Sequence, residues 1–103
     1  MIVAQEQSRA MAANLIRECG PDEAKQVERA YQRAVGRKPT ADEARIAKDF
    51  LGEQSGSAAE RLLARLPAGV PDGLPAGADV AHAVALADFC LALFNANEFA
   101  YRP

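Results

Sequence analysis

The chain has 103 residues, of which half are hydrophobic and a quarter charged, and its formal net charge is −2. This size and composition predict one globular domain, and the charge balance gives no basic footprint for a nucleic-acid partner. No apolar run is long enough and free enough of charge to cross a bilayer, so we expect no membrane insertion. The first ten residues do not resemble a secretory signal. We therefore expect residues 1–103 to be one helical domain excised from a larger multidomain protein.

The first third of the chain has apolar residues at helical spacing, which predict two helices. The first helix is expected from about residue 3 to Cys19, where Gly20 and Pro21 stop it. The second helix is expected to begin near Asp22 and to end at Gly36. Glycine suits the left-handed position after a helix, and acidic residues suit a helix start.

A capping-box pattern, Thr40 followed three residues later by Glu43, predicts the start of a third helix. Gly52 and Gly56 are expected to weaken its end. A second capping-box pattern at residues 57–60 predicts a separate short helix containing Leu62, Leu63 and Leu66. Residues 67–78 then repeat proline and glycine at four-residue intervals without any Lys or Arg. They predict an extended, solvent-exposed connection and not a phosphate-binding loop.

The last quarter of the chain is the most apolar, and Asp88 is the only full charge between Val80 and Phe94. Asp79 is expected to cap a helix that is apolar over most of its circumference, apart from a thin face formed by Ala81, Ala85, Asp88 and Ala92. Other helices pack around such a helix. The predicted fold is all-α, a four- to five-helix orthogonal or up-down bundle around a buried C-terminal helix.

Three segments in order give a family resemblance: VAQEQSRAMAANLI near the start, VERAYQRAVGRKPTADEARIAKDFL at residues 27–51, and ALADFCLALFNANEFAY at residues 85–101. Together they resemble the C-terminal part of the domain-of-unknown-function 1553 family, the planctomycete-type cytochrome-associated domain. A looser similarity links the Gly-Arg turn and the late Glu-Phe to the domain-of-unknown-function 4214 family. The chain lacks the tryptophan that commonly opens the last helix in the first family. The positions that match its motifs are Tyr31, Gly36, Arg37, Pro39, Thr40, Glu43, Asn95, Asn97, Glu98 and Phe99.

The resemblance implies a module of a large bacterial protein that is exported or periplasmic. We expect a non-catalytic structural or interaction module, whose partners are other domains of the same parent protein. The alternative is an accessory part of an enzyme or of a cytochrome-linked electron-transfer assembly, to which it contributes a docking surface. We assign no catalytic residue, cofactor or metal to the isolated domain.

Three sets of residues could carry chemistry, and for each we favour a structural role. His82, the only histidine, is expected on an inner side of the last helix rather than in a catalytic or metal site. Cys19 and Cys90 are expected to be free and buried, with a disulfide as the alternative in an exported parent. The Asn-x-Asn-Glu motif from Asn95 contains only a fragment of a calcium loop. We interpret it as the turn that ends the helix.

The two most specific motifs predict a structural clasp. Arg37 is expected to pair with Glu98, because a guanidinium can meet a carboxylate with two parallel hydrogen bonds. Phe99 is expected to pack beside Tyr31 and Phe50. Asn95 and Asn97 are expected to shape the turn that brings this end of the chain onto the bundle.

Overall fold

The computed structural model describes residues 5–100, with side chains described for residues 5–96. It contains four helices: α1 Gln5–Cys19, α2 Glu23–Val35, α3 Ala41–Leu63 and α4 Val80–Ala100. No strand occurs in this part of the chain. The predicted all-α class is confirmed. None of the described helices is long and apolar enough to cross a membrane.

The ends of α1, α2 and α3 follow the local sequence signals. Gly20 (φ +61°) and Gly36 (φ +81°) take the left-handed conformation after α1 and α2. The Asp22 side chain accepts a hydrogen bond from the Lys25 amide at the start of α2. Thr40 and Glu43 form the complete capping box, each satisfying the other's backbone amide. These predicted helix ends are confirmed.

The prediction of a separate short helix after Gly56 is wrong, because α3 runs unbroken through Gly52, Gly56 and residues 57–60. Neither glycine adopts a positive φ. Leu51 and Ala58 lie on one face seven residues apart, and both are fully buried. Burial on both sides of Gly56 therefore holds the helix together, since packing contributes more to helix stability than propensity does.

The end of α3 is a Schellman motif without glycine. The amides of Arg65 and Leu66 donate to the carbonyls of Leu62 and Arg61, which is the paired pattern that defines the motif. Arg65 occupies its left-handed position at φ +57°. The chain therefore leaves α3 in a fixed direction at the cost of a strained arginine backbone.

Helix α4 is the centre of the domain. It packs against α1, α2 and α3, whereas no close backbone contact joins α1 to α3 within residues 5–100. Its buried side chains are Ala83, Val84, Ala85, Leu86, Ala87, Phe89, Cys90 and Leu93. The predicted central helix is confirmed, with three local corrections. The helix continues to Ala100, so the prediction that Asn95 and Asn97 form the turn that ends it is wrong. Of the expected thin face, Ala85 is buried, whereas Ala81 and Asp88 are half-buried and Ala92 is exposed. Val80 is 38% exposed because it lies at the helix start.

The proline-glycine connection is attached to the bundle rather than fully solvated as predicted. Arg17 Nη1 donates to the Gly73 carbonyl over 2.6 Å. Pro71 is buried, and Leu74 and Ala78 pack against the core. The attachment was not predictable from the loop itself, because Arg17 lies in α1, far from Gly73 in sequence.

Candidate functional site

A cleft of about 520 Å³ lies where the end of α1, the start of α2 and the start of α4 meet the last residues of the connection. His82 lies in its wall, on the inner side of α4 as predicted, with a side chain that is largely covered. The cleft is lined by Ile16, Gly20, Pro21, Glu23, Gln26, Pro75, Ala76, Gly77, Ala78, Asp79 and His82. Two of the lining residues lie at helix starts. Asp79 accepts a hydrogen bond from the His82 amide at the start of α4, and Glu23 is the first residue of α2.

A buried glutamine sets the orientation of the His82 ring. The Gln26 side chain is 1% exposed, and its Nε2 donates to the Gly20 carbonyl over 2.7 Å. Its Oε1 therefore faces His82 Nε2 at 2.6 Å and accepts from it. This assigns the ring proton of neutral His82 to Nε2. The other nitrogen, Nδ1, lies 3.8 Å from Glu23 Oε2.

This arrangement links three elements through hydrogen bonds. Gln26 joins the carbonyl that ends α1 to a side chain at the start of α4. A buried amide that is satisfied on both sides contributes to specifying one packing of the core. Within residues 5–96, no group of three or more His, Cys, Asp or Glu side chains is placed to hold a metal ion. Through its hydrogen bond to Gln26, His82 fixes the start of α4 against α2.

Arg37, which was predicted to belong to the clasp, forms an ion pair with Glu43 in the part of the chain that the structure describes. Its Nη1 and Nη2 reach the two carboxylate oxygens at 2.7 and 2.8 Å, the bidentate geometry expected for arginine. The guanidinium also lies 5.8 Å from the centre of the Tyr31 ring. The hydrogen bonds from Arg37 and from the Thr40 backbone lower the pKa of Glu43 to about 2. Sequence reasoning placed Glu43 only in the capping box and missed this second role.

The aromatic part of the clasp is partly described. Tyr31 and Phe50 each pack against Phe89, with ring centres 6.1 and 6.0 Å apart. Burial raises the pKa of Tyr31. The side chains of Asn97, Glu98 and Phe99 lie outside the described residues, so their pairing with Arg37, Tyr31 and Phe50 stays a prediction. The Oδ1 atom of Asn95 is buried and accepts no hydrogen bond within the described residues.

The two cysteines are free. Cys90 is fully buried, and burial raises the pKa of its thiol to about 12. Cys19 at the end of α1 is half-buried. The predicted free thiols are confirmed, and the prediction of burial is correct for Cys90 but wrong for Cys19, whose position at a helix end leaves one side open.

Large apolar side chains are exposed where α3 ends and the connection begins. Leu63 is 87% exposed and Leu66 57%, and Val70 is also exposed. We call these three residues the leucine segment. The sequence predicted Leu63 and Leu66 in a separate short helix, whereas Leu63 is the last residue of α3 and Leu66 follows it. Because α3 continues as one helix, the register set by Leu51 and Ala58 turns Leu63 outward.

Comparison with known proteins gives no relative: no family model, no curated protein and no solved structure matches the chain.

Proposed function

We propose that this domain is a non-catalytic structural or interaction module of a larger exported bacterial protein, and that its leucine segment packs against another domain of the same parent. The observation that carries the proposal is the exposure of Leu63 and Leu66. Large contiguous apolar patches mark surfaces that a partner covers, and Leu63, Leu66 and Val70 lie close together in sequence.

The ionisable side chains of the described sites support a structural role. Glu43 and Asp79 cap helices and His82 is bonded to Gln26. The Cys90 thiol is buried and protonated at neutral pH, whereas a thiol nucleophile reacts as the thiolate. Each of these groups is used to fix the fold.

The resemblances described above support the exported, cytochrome-associated setting of the proposal. The exposed leucines give the chemistry of the partner, which is a neighbouring domain with an apolar patch. Burying a leucine side chain contributes about 1.5–3 kcal/mol. Losing two of them therefore weakens association at least about tenfold.

The test supplies the neighbouring domains of the parent protein separately and measures their binding to the 103-residue chain by NMR titration. We expect the shifts to centre on the leucine segment, and the double variant Leu63→Gln/Leu66→Gln to bind at least about tenfold more weakly. Ile46→Gln is the matched control, because Ile46 is 61% exposed on the same helix. Equal affinities of the double variant and the control, or no binding at all, would overturn the proposal.

The parent protein's activity separates this role from the alternative of an enzyme accessory. If the double variant lowers turnover or electron transfer by the parent while the remaining domains stay folded, the domain contributes a docking surface to that activity. Unchanged activity with lowered stability supports the structural module.

A further inference from the structure

A second, smaller pocket holds charges of both signs. It has a volume of about 270 Å³ and lies between α1, α3, α4 and the first residues of the connection. Each helix contributes one charged side chain: Arg9 from α1, Arg61 from α3 and Asp88 from α4. The other lining residues are Gln5, Ser8, Pro67, Ala68, Gly69, Ala87 and Leu91.

The Asp88 carboxylate has no hydrogen bond or ion pair in the part of the chain that the structure describes. Partial burial raises its pKa, an effect that the nearby charges of Arg61 and Arg9 only partly offset. Nearby guanidinium groups usually close on a carboxylate to form charge-assisted hydrogen bonds. Here Arg9, Arg61 and Asp88 line the pocket without forming such bonds to one another.

Arg61, which lines the same pocket, has an unsatisfied donor. Its Nε atom is buried and has no hydrogen-bond partner among residues 5–96. Buried polar atoms in proteins are nearly always bonded, so this exception calls for an explanation beyond residues 5–96.

Arg9 is held in position by its surroundings. Its Nη2 donates to Gln5 Oε1 over 3.0 Å. The guanidinium also lies so close to Gly69 that a Cβ atom there would approach Nη2 and Nε to 3.2 and 3.3 Å. The glycine, at φ +69°, thus leaves room for the guanidinium beside the connection.

We propose that this pocket binds a free α-amino acid, with the ligand's carboxylate between Arg61 and Arg9 and its ammonium group on Asp88. The two guanidinium groups and one carboxylate match a ligand that carries both charges at short range. A simple anion leaves the carboxylate unpaired, and a simple amine leaves both guanidinium groups unpaired. The volume suits a small amino acid, and the apolar wall formed by Ala87 and Leu91 faces its side chain.

The test is an NMR titration of the 103-residue chain with L-alanine into the millimolar range, compared with propionate and with alanine methyl ester. Propionate lacks the ammonium group, and the ester lacks the carboxylate. A hydrogen bond to a charged group is worth enough for about a tenfold change in affinity. We expect alanine to bind at least about tenfold more tightly than either analogue.

Variants assign the two ends of the ligand. Asp88→Asn should weaken alanine binding about tenfold without weakening propionate binding, because it removes a carboxylate that repels propionate, whereas Arg61→Gln should weaken both. Arg45→Gln is the control, because Arg45 is an exposed arginine of α3 outside this pocket. Thermal melts test whether the variants remain folded. In the wild-type chain, alanine binding should lower the pKa of Asp88, because its carboxylate gains the ligand's ammonium group as a partner.

Three results would overturn the proposal. The first is the absence of saturable shifts with alanine, and the second is equal binding of alanine and propionate. The third is an Asp88 carboxyl that titrates below its usual range in the ligand-free protein, because that shows a direct ion pair with Arg61 that fills the pocket.

Discussion

At the scale of single residues, the Glu43 carboxylate combines two roles. It accepts from the Thr40 amide within the capping box and also receives both guanidinium nitrogens of Arg37. These bonds require the ionised form, which is why they lower the pKa of Glu43 from its usual 4.5 to about 2. One side chain thereby joins the turn after α2 to the first turn of α3.

Acid titration tests this double role. Because the pKa of Glu43 is lower in the folded than in the unfolded chain, its contribution to stability is present above about pH 4.5 and is lost as the pH falls toward 2. We expect its carboxyl carbon to titrate near pH 2 by NMR, and Arg37→Ala to raise that midpoint. Arg45→Ala should leave it unchanged. A wild-type midpoint near 4.5 would contradict the geometry.

Arg65 tests the strained end of α3. Its left-handed backbone at φ +57° suits glycine better than arginine. We expect Arg65→Gly to raise the free energy of unfolding by about 1 kcal/mol, as measured by urea denaturation. Arg65→Ala removes the same side chain but keeps the strain, so it should not stabilise. Equal effects of the two substitutions would assign the change to the lost charge.

At the scale of elements, local signals predicted the helix ends where chemistry and backbone geometry agree. The predictions at Gly20, Gly36 and Thr40 are correct, because the backbone conformation or the capping hydrogen bond at each depends only on nearby residues. The predicted break after Gly56 is wrong, since burial of Leu51 and Ala58 overrides a weak local preference. Long-range packing of this kind leaves no mark in a short window of sequence.

The continuity of α3 gives a direct test. A Cβ atom added at Gly52 or Gly56 meets no other atom within 4 Å, and neither residue needs a positive φ. In a helix interior, alanine is more stable than glycine by about 0.5–1 kcal/mol. We therefore expect Gly52→Ala and Gly56→Ala each to stabilise the domain by about that amount in urea unfolding.

Gly36→Ala is the matched opposite. Its added Cβ also meets nothing within 4 Å, but its φ of +81° makes alanine unfavourable. This variant should lower the free energy of unfolding by about 1 kcal/mol. Destabilisation by Gly56→Ala would show instead that the helix is interrupted there.

The sites were predictable only in part, for a physical reason. The sequence placed His82 on an inner side of α4. It predicted Glu98 as the ion-pair partner of Arg37, which stays a prediction, and it did not predict the ion pair of Arg37 with Glu43. It could not supply Gln26 as the partner of His82, because that contact joins residues 56 positions apart. It could not show the pocket of Arg9, Arg61 and Asp88 either, since three separate helices contribute one charge each.

At the scale of the whole molecule, α4 contacts each of the other three helices. Helices α1 and α3 pack on it without a close backbone contact to each other within the described residues. Helix α2 packs against both α1 and α3, but α4 contributes the largest set of buried side chains, so displacing α4 exposes the core that the other three helices share. Unfolding that exposes the middle of α4 should be unfolding of the entire domain.

Cys90 reports on that event. Its thiol is fully buried in the middle of α4, and burial raises its pKa to about 12. In the folded protein the thiol is therefore inaccessible to a labelling reagent and stays protonated, whereas the thiolate is the reactive form. We expect Cys90 to be labelled only through global unfolding, with the free energy from its labelling rate equal to that from urea denaturation. Half-buried Cys19 should react faster, and mass spectrometry of the two peptides separates them within one sample. Labelling of Cys90 at a lower free energy than global unfolding would show that α4 can open locally, contrary to its place at the centre of the packing.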